Sequence, residues 1–240
     1  MTSKAIWHDV ECGAYVADLE IWETLASAAS GPILDLGCGT GRVSLHLARL
    51  GHEVWAVDAE EELVAALRDR ACAEGLPVRA LRADAARLEL EREFDLVIAA
   101  MQLIQMIGDE AARRRVLGAA AAHLRPGGRL AAAILDGVPE DLQGAQAPIP
   151  DVREIDGRVY SSLPVDVGVD GPRLELRRLR QEVSPDGEMS EAEHAESLWV
   201  LDPATLETDG KAVGLAAADR LTVSAMDGYV GSVVVVLERR

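Results

Sequence analysis

Leu34-Asp35-Leu36-Gly37-Cys38-Gly39-Thr40-Gly41-Arg42 joins a compact apolar run, residues 32–36, to a stretch over 40–50 in which Val43, Leu47 and Leu50 recur at helical spacing. The order is strand, glycines, helix. Glycines at such a junction let the backbone approach a ligand and present helix N-terminal N–H groups to it. The spacing is G-x-G-x-G, and dinucleotide enzymes use G-x-G-x-x-G. Asp35 stands in the strand two residues before the first glycine. There it would repel a pyrophosphate, but it suits a ligand that carries an ammonium group.

Working outward, the alternation continues. Residues 53–58 read as a second strand, and 60–74 as a helix with Glu60, Glu61 and Glu62 at the positive end of its dipole. Gly51 closes the preceding helix. A third strand covers 78–84 and a fourth 94–101. Asp109 caps a helix to about residue 124, Arg125-Pro126-Gly127-Gly128 turns the chain, and a fifth strand follows over 129–135. Strands separated by helices of this length, nearly continuous in Val, Ile, Leu and Ala, predict βαβ units in a parallel sheet covered on both faces.

The pattern changes after Asp136. Residues 139–150 form a loop rich in Pro, Gly and Gln, and 158–164, 174–183 and 195–201 predict a three-strand antiparallel meander. Asp202 then caps a helix with Pro203 at its first position, and strands at 221–226 and 232–238 are joined through Asp227-Gly228. Upstream of the first strand, Val10, Ala14, Ala17, Ile21, Leu25 and Ala28 make one helical stripe, with Tyr15, Leu19 and Trp22 beside it. The expected organisation is a single domain: a helical cover over 1–30, a ligand-binding core over 31–136, a β insertion over 150–201, and a last helix with a final hairpin over 202–240.

The chain has 240 residues, about the length of one domain with an insertion. Lys and Arg number 24 against 41 Asp and Glu, a formal charge of −17. A field of that sign repels phosphate backbones and anionic lipid heads, so nucleic acid and membrane are not expected partners. Three widely spaced cysteines form neither a disulfide framework nor a zinc pattern, and no metal is expected. With no apolar run of about 18 residues and no leader pattern, the expected location is the cytoplasm. Only eight residues are aromatic. Trp55 and Phe94 belong to the sheet. Of Trp7, Tyr15, Trp22, Tyr160, Trp199 and Tyr229, at least two are expected to line one pocket, with Trp22 and Trp199 as packing residues.

Two more acids fall at strand ends. Asp58 ends the second strand 23 residues after Asp35, near the spacing at which a carboxylate accepts both hydroxyls of a ribose. Asp84 ends the third, where a carboxylate can accept from an adenine amino group. Ligands of such sheets bind at the carboxyl ends of the strands.

The run from Ile33 to Leu135 resembles class I S-adenosylmethionine-dependent methyltransferases of the small-molecule type. The residues that carry the likeness are ILDLGCGTGR, VWAVDAE, RADAARL, FDLVIAAMQLIQMI and HLRPGGRLAAAI, in family order and spacing. The resemblance implies a doubly wound, seven-stranded Rossmann-like α/β sheet of order 3-2-1-4-5-7-6 with an antiparallel last strand and a β insertion after strand 5. It implies S-adenosyl-L-methionine as cofactor and S-adenosyl-L-homocysteine as product. By position, the backbone of Gly37, Cys38 and Gly39 would hold the methionine portion and Asp35 would help place its ammonium. Asp58 and Ala59 would bind the ribose, and Asp84 with Ala85 the adenine. Ala100 and Met101 would border the sulfonium.

The implied reaction is in-line transfer of a methyl group to an O, N or C atom of a small-molecule acceptor. Aligning nucleophile, methyl and sulfur can alone be worth roughly 7–11 kcal/mol, and a base is needed only where the acceptor carries a proton. The candidates on the acceptor side are His8, Tyr15, Gln105 and Asp136, with Gln102 beside Gln105. His194 lies among acids and reads as a solvated strand end. His46 and His123 read as surface residues, and the runs Arg113–Arg115 and Arg177–Arg180 as solvated faces. The alternatives are a cofactor-binding protein without methyl transfer, a protein methyltransferase drawn to basic peptides, and a nicotinamide oxidoreductase, which the loop spacing and Asp35 oppose. DNA amino-methylating enzymes carry a proline–aromatic motif where this chain has Ala99-Ala100-Met101-Gln102. Monomer and homodimer both stay open.

Overall fold

The computed structural model describes residues 2–137, 149–226 and 229–240. The first glycine-bearing stretch folds as read: β1 (Ile33–Leu36) is buried throughout and leads through the glycines into α3 (Arg42–Arg49). Then come β2 (Val54–Asp58), α4 (Glu61–Glu74), β3 (Val78–Arg82), a 3-10 turn (Ala85–Arg87) and β4 (Phe94–Ala99). α5 (Leu103–Met106), α6 (Glu110–His123) and β5 (Leu124–Ile134) complete the core. Asp109 caps α6 by accepting from the Ala112 N–H, as expected of an N-cap.

After the core, α7 (Pro203–Ala212), β10 (Leu215–Val223) and β11 (Ser232–Arg239) return to the main sheet. That sheet has seven strands in the order β10-β11-β5-β4-β1-β2-β3. The five strands of the core run parallel, and β11 runs antiparallel to both β5 and β10. This is the expected 3-2-1-4-5-7-6 order. Successive residues of β1 feed opposite faces: Leu34 and Leu36 pack with Val116 and Leu117 of α6, and Ile33 with Val43 and Leu47 of α3. A strand buried on both faces needs the continuous apolar run seen at 33–36.

Three expectations need correction. The single helical stripe from Val10 to Ala28 is two helices, α1 (Ser3–Cys12) and α2 (Leu19–Ser27). Gly13 ends α1; a Cβ there would stand 2.6 Å from the Asp9 carbonyl and 3.0 Å from the Arg153 guanidinium. The insertion has four strands: β6 (Asp151–Ile155), β7 (Arg158–Asp170), β8 (Arg173–Val183) and β9 (Met189–Trp199), paired in that order and all antiparallel. Its strands outrun the meander read from sequence because their outward residues are charged, which masks the alternation. The strand read at 221–226 begins earlier, at Leu215. The loop read at 139–150 falls mostly on residues outside those described, as does the Asp227-Gly228 turn.

Two residues read as surface groups also sit differently in three dimensions. Arg113 is buried and donates through Nε and Nη2 to Asp209 of α7, at 3.1 and 2.9 Å. His123 is buried too: its Nε2 accepts the Leu90 N–H at 2.9 Å while Nδ1 sits 2.7 Å from the Ala119 carbonyl. That arrangement places the proton on Nδ1. Neither is a surface residue.

Candidate functional site

The carboxyl ends of β1, β2, β3 and β4 bring the sequence-predicted residues together. Gly37, Gly39 and Gly41 all adopt positive φ (+65°, +55° and +97°), a region open to glycine at little cost. Side chains crowd the first two. A Cβ on Gly37 would meet Leu103 at 2.6 Å, and one on Gly39 would run into the His8 imidazole. Cys38 is tied to β2 through its N–H to the Val57 carbonyl, 3.0 Å. Burial raises the Cys38 thiol well above its ordinary range, so it is a packing residue.

Asp58 is the centre of this end of the sheet. Its Oδ2 accepts the Gly39 N–H at 2.9 Å and its Oδ1 the Glu60 N–H at 3.0 Å. One carboxylate thus braces the glycine loop and the start of α4, and each oxygen keeps a lone pair for a further donor. Asp84 accepts the Ala86 N–H at 2.8 Å, which shapes the turn in which Ala85 lies. The Ala59 carbonyl, beside Asp58, accepts from Arg82 Nε at 3.1 Å.

Asp35 is a correction. Its carboxyl is 1% exposed and accepts the Ser44 hydroxyl at 2.5 Å, so it is shut in against α3 and not open to an ammonium. Burial, the largest influence, pushes it up to about 7. A carboxyl whose folded pKa exceeds its unfolded one contributes stability that is full below about pH 4 and is lost as pH rises through about 7. Wild type is therefore expected to lose stability relative to Asp35→Asn across that window, by up to about 1.4 kcal/mol per pH unit. Urea midpoints of the two proteins at pH 5, 6, 7 and 8 check this; parallel curves would refute it.

At the end of β4 the backbone is strained. Met101 and Gln102, neither of them glycine, adopt φ of +50° and +59°. Each left-handed residue of this kind costs about 1–2 kcal/mol, and such outliers gather where a site dictates the backbone. They aim Leu103 at Gly37. They also place Gln105, which is 1% exposed, under the insertion. Its amide donates to the carbonyls of Leu135 (3.2 Å) and Trp199 (3.0 Å) and accepts the Leu135 N–H (2.7 Å). Gln105 is thus a clamp between β5 and β9, and its bonds are taken by backbone, which corrects its reading as an acceptor-side group. Gln105→Ala is expected to lower stability by about 2 kcal/mol and to leave cofactor affinity unchanged; chemical denaturation and calorimetry check the two halves. Asp136 is exposed at the bridge to Leu201, where Arg220 of β10 senses its charge.

α1 lies over the glycines. The Thr40 hydroxyl donates to Asp9 Oδ1 at 2.6 Å, and His8 Nδ1 is 3.2 Å from the same hydroxyl oxygen. With that hydroxyl proton committed to Asp9, Nδ1 carries the imidazole proton and Nε2 presents a lone pair toward Gly39. Burial holds the His8 pKa below its ordinary value, so the ring is neutral at pH 7. Asp9 is further held by Arg70.

The cover is pinned by residues that the sequence reading did not single out. Glu11 of α1 accepts both Arg180 nitrogens, Nε and Nη2, at 2.7 Å, and the Ser162 hydroxyl at 2.7 Å. It fastens the insertion sheet to α1. Asp18 accepts Arg42 at 2.5 and 2.8 Å and the Trp22 indole N–H at 2.8 Å. Arg178 and Arg180 point inward while Arg177 points outward to Asp166, so the run is no solvated face. His194, half-exposed, lies within β9 and not at a strand end, with its Nε2 3.6 Å from Glu196.

Of the six tracked aromatics, Tyr15 and Tyr229 meet with ring centroids 4.9 Å apart, in the apolar cluster that also contains Ala100 and Met101. Trp7 and Tyr160 stack edge-on at 5.4 Å between α1 and the insertion. Trp22 is fully buried core, and Arg173 covers Trp199 at 5.0 Å. A surface cleft of about 300 Å³ between α1 and α3 takes in Arg42, Arg70 and Arg153, but none of Asp58, Asp84 or Met101. It adjoins the glycine loop, sharing Thr40 and Gly41 with it and Asp9 and Tyr15 with the cover. Among the described residues no His, Cys, Asp and Glu cluster could hold a metal, and no helix is long and apolar enough to cross a membrane.

Comparison with known proteins points the same way. Residues 33–128 match the family model of a methyltransferase domain. The ubiquinone biosynthesis O-methyltransferase of Xanthomonas euvesicatoria pv. vesicatoria is 33% identical over 123 residues, 50% of each chain. Hemagglutinin 1 of Eikenella corrodens is 33% identical over 126 residues, 52% of this chain and 41% of its own. The chain spans about half the length of these curated relatives or less. Among solved structures, the sugar N-methyltransferase KedS8 from Streptoalloteichus sp ATCC 53650 superimposes with a TM-score of 0.78, covering 100% of this chain and 93% of its own at 22% identity. That likeness shows a shared fold.

Proposed function

With residues 33–128 matching the family model of a methyltransferase domain, we propose that the chain is a class I S-adenosylmethionine-dependent methyltransferase that moves a methyl group to an O, N or C atom of a small-molecule acceptor. The observation that carries the reading is Asp58 bridging the Gly39 and Glu60 N–H groups at the strand ends. The residues fit the cofactor: glycines with no room for a Cβ, a carboxylate with spare lone pairs, and strained backbone opposite them at Met101 and Gln102. When bound, S-adenosylmethionine supplies a methyl group activated on a sulfonium.

In this reading the chain's own residues divide the work. Asp58 accepts the ribose hydroxyls and Ala59 borders them; Asp84 and the Ala85 N–H meet the adenine. The backbone of Gly37, Cys38 and Gly39 holds the methionine portion. His8, neutral with Nε2 over Gly39, accepts from the ammonium in the place first assigned to Asp35. Ala100 and Met101 border the sulfonium, and Tyr15 with Tyr229 walls the acceptor side, where aromatic faces also favour a cation. Alignment of the acceptor supplies the catalysis, and α1 with the insertion excludes water. The small-molecule assignment draws support from the likeness to an O-methyltransferase and a sugar N-methyltransferase, and from a charge of −17 that repels nucleic acid. A cytoplasmic location belongs to the same reading.

Calorimetry with S-adenosylhomocysteine tests cofactor binding. Incubation of the chain with methyl-labelled S-adenosylmethionine and a small-metabolite pool tests transfer. Binding with label in a small product is the expected result. Binding without transfer to any pool would leave a cofactor-binding protein of another role, and no binding would overturn the proposal.

A further inference from the structure

Among the described residues, one buried side-chain nitrogen or oxygen has no hydrogen-bond partner: Nε of Arg178. Its surroundings are ordered. Arg178 Nη1 donates to Asp151 Oδ2 at 3.0 Å, and the Tyr229 hydroxyl donates to Asp151 Oδ1 at 3.1 Å. The ion pair is withdrawn from solvent, with 14% and 20% of the two side chains exposed. In the register of the insertion, Arg178 faces Pro164 on one side and His194 on the other, and Glu196 follows His194 on the same inward face. Cys12 of α1 closes the group, near enough to Glu196 and Arg178 to feel both charges. Tyr229 in turn packs on Tyr15, beside the end of β4.

A buried N–H without a partner is costly and rare, so its position asks for an acceptor atom. The charges narrow what that atom belongs to. Asp151 already offsets Arg178, Glu11 takes up Arg180, and Glu196, 3.6 Å from the His194 imidazole, adds a further carboxylate on the inward face. The Nε–H is therefore a directed donor without a net positive field. A phosphate or carboxylate gains nothing there, whereas a hydroxyl or carbonyl oxygen pairs with the donor, and a nearby cationic group gains from Glu196.

We propose that Arg178, held by Asp151 and through it by Tyr229, is the specificity-determining anchor of the acceptor pocket: its Nε–H receives an oxygen of an acceptor that bears hydroxyl or carbonyl groups and is uncharged or cationic. The proposal rests on the methyltransferase reading given above.

The test uses the full chain labelled with nitrogen-15 at arginine Nε and saturated with S-adenosylhomocysteine. Failure to saturate is a failure of the methyltransferase reading and is seen before any acceptor probe is added. The Arg178 Nε–H resonance is identified by its loss in Arg178→Lys, and by its displacement in Asp151→Asn, which keeps the arginine should the first variant misfold. Methyl glucoside, glucosamine and glucose 6-phosphate then present one hydroxylated ring with neutral, positive and negative charge. The resonance is expected to move saturably with the first two, more tightly for glucosamine, and not with the third. Tyr229→Phe, which frees Asp151, is expected to weaken the glucosamine response about three- to tenfold with S-adenosylhomocysteine affinity unchanged. No movement with any probe, as for a nitrogen satisfied by water alone, would overturn the assignment. So would an equal or stronger response to glucose 6-phosphate, or a Tyr229→Phe protein that responds like wild type.

Discussion

Asp58→Ala is expected to weaken S-adenosylhomocysteine binding by about a hundredfold, or about 2.7 kcal/mol. Two effects combine. The variant removes the charged acceptor proposed for the ribose hydroxyls, and hydrogen bonds to charged groups contribute about 1.5–3 kcal/mol. It also releases the N–H groups of Gly39 and Glu60, now held at 2.9 and 3.0 Å, so the glycine loop loses its brace. Asp58→Asn separates the two: its amide oxygen can accept one N–H, but its NH₂ group opposes the other, so a loss of about tenfold is expected. Asp84→Ala, whose carboxyl among the described residues holds just the Ala86 N–H, is expected to lose less affinity than either. Calorimetric titration of the three variants checks the order. An Asp58→Ala protein that binds within threefold of wild type would remove Asp58 from the cofactor site.

The glycine loop and the acids at the strand ends were legible because their features are local. Glycines at fixed offsets, an acid ending each strand and a helix start all fall within short windows, and the chain between Ile33 and Leu135 carries them in order. The cover was not legible for the opposite reason. Glu11 is one acid among 41, and nothing near it in sequence marks it; its partners are Ser162 and Arg180, more than 150 residues away in one case and nearly 170 in the other. Arg177-Arg178-Leu179-Arg180 looks like a charge run until strand alternation sends Arg178 and Arg180 inward and Arg177 out. Likewise the stripe from Val10 to Ala28 keeps helical spacing across a real break between α1 and α2, and two of its members, Ala14 and Ala28, are exposed. The spacing of acids misled at Asp35: an acid in the strand before the glycines was legible, but its bond to Ser44 depended on how α3 packs back onto β1.

The largest effect on stability is expected at Asp18. Its side chain is 2% exposed and that of Arg42 10%, and the carboxylate takes both guanidinium donors together with the Trp22 indole N–H. Removing one partner of a buried pair leaves the other charge uncompensated, at about 3–5 kcal/mol, and here an indole N–H on a fully buried ring is orphaned as well. For a chain of this size Asp18→Ala should therefore melt about 10 °C below wild type. The effect should reach the site, because Arg42 also donates to the Tyr15 carbonyl at 2.9 Å and lies 5.1 Å from the Tyr15 ring centroid. A loosened Arg42 frees Tyr15 from its contact with Tyr229, so acceptor turnover should fall more than S-adenosylhomocysteine affinity. Replacing both partners with apolar residues, as in Asp18→Leu with Arg42→Met, tests the cause: burying no charge, it should recover much of the melting temperature without restoring the hold on Tyr15. Thermal melts of the single and double variants check the prediction, and a single variant that melts within 2 °C of wild type, on the order of 1 kcal/mol or less, would show that the Asp18–Arg42 pair does not hold the cover in place.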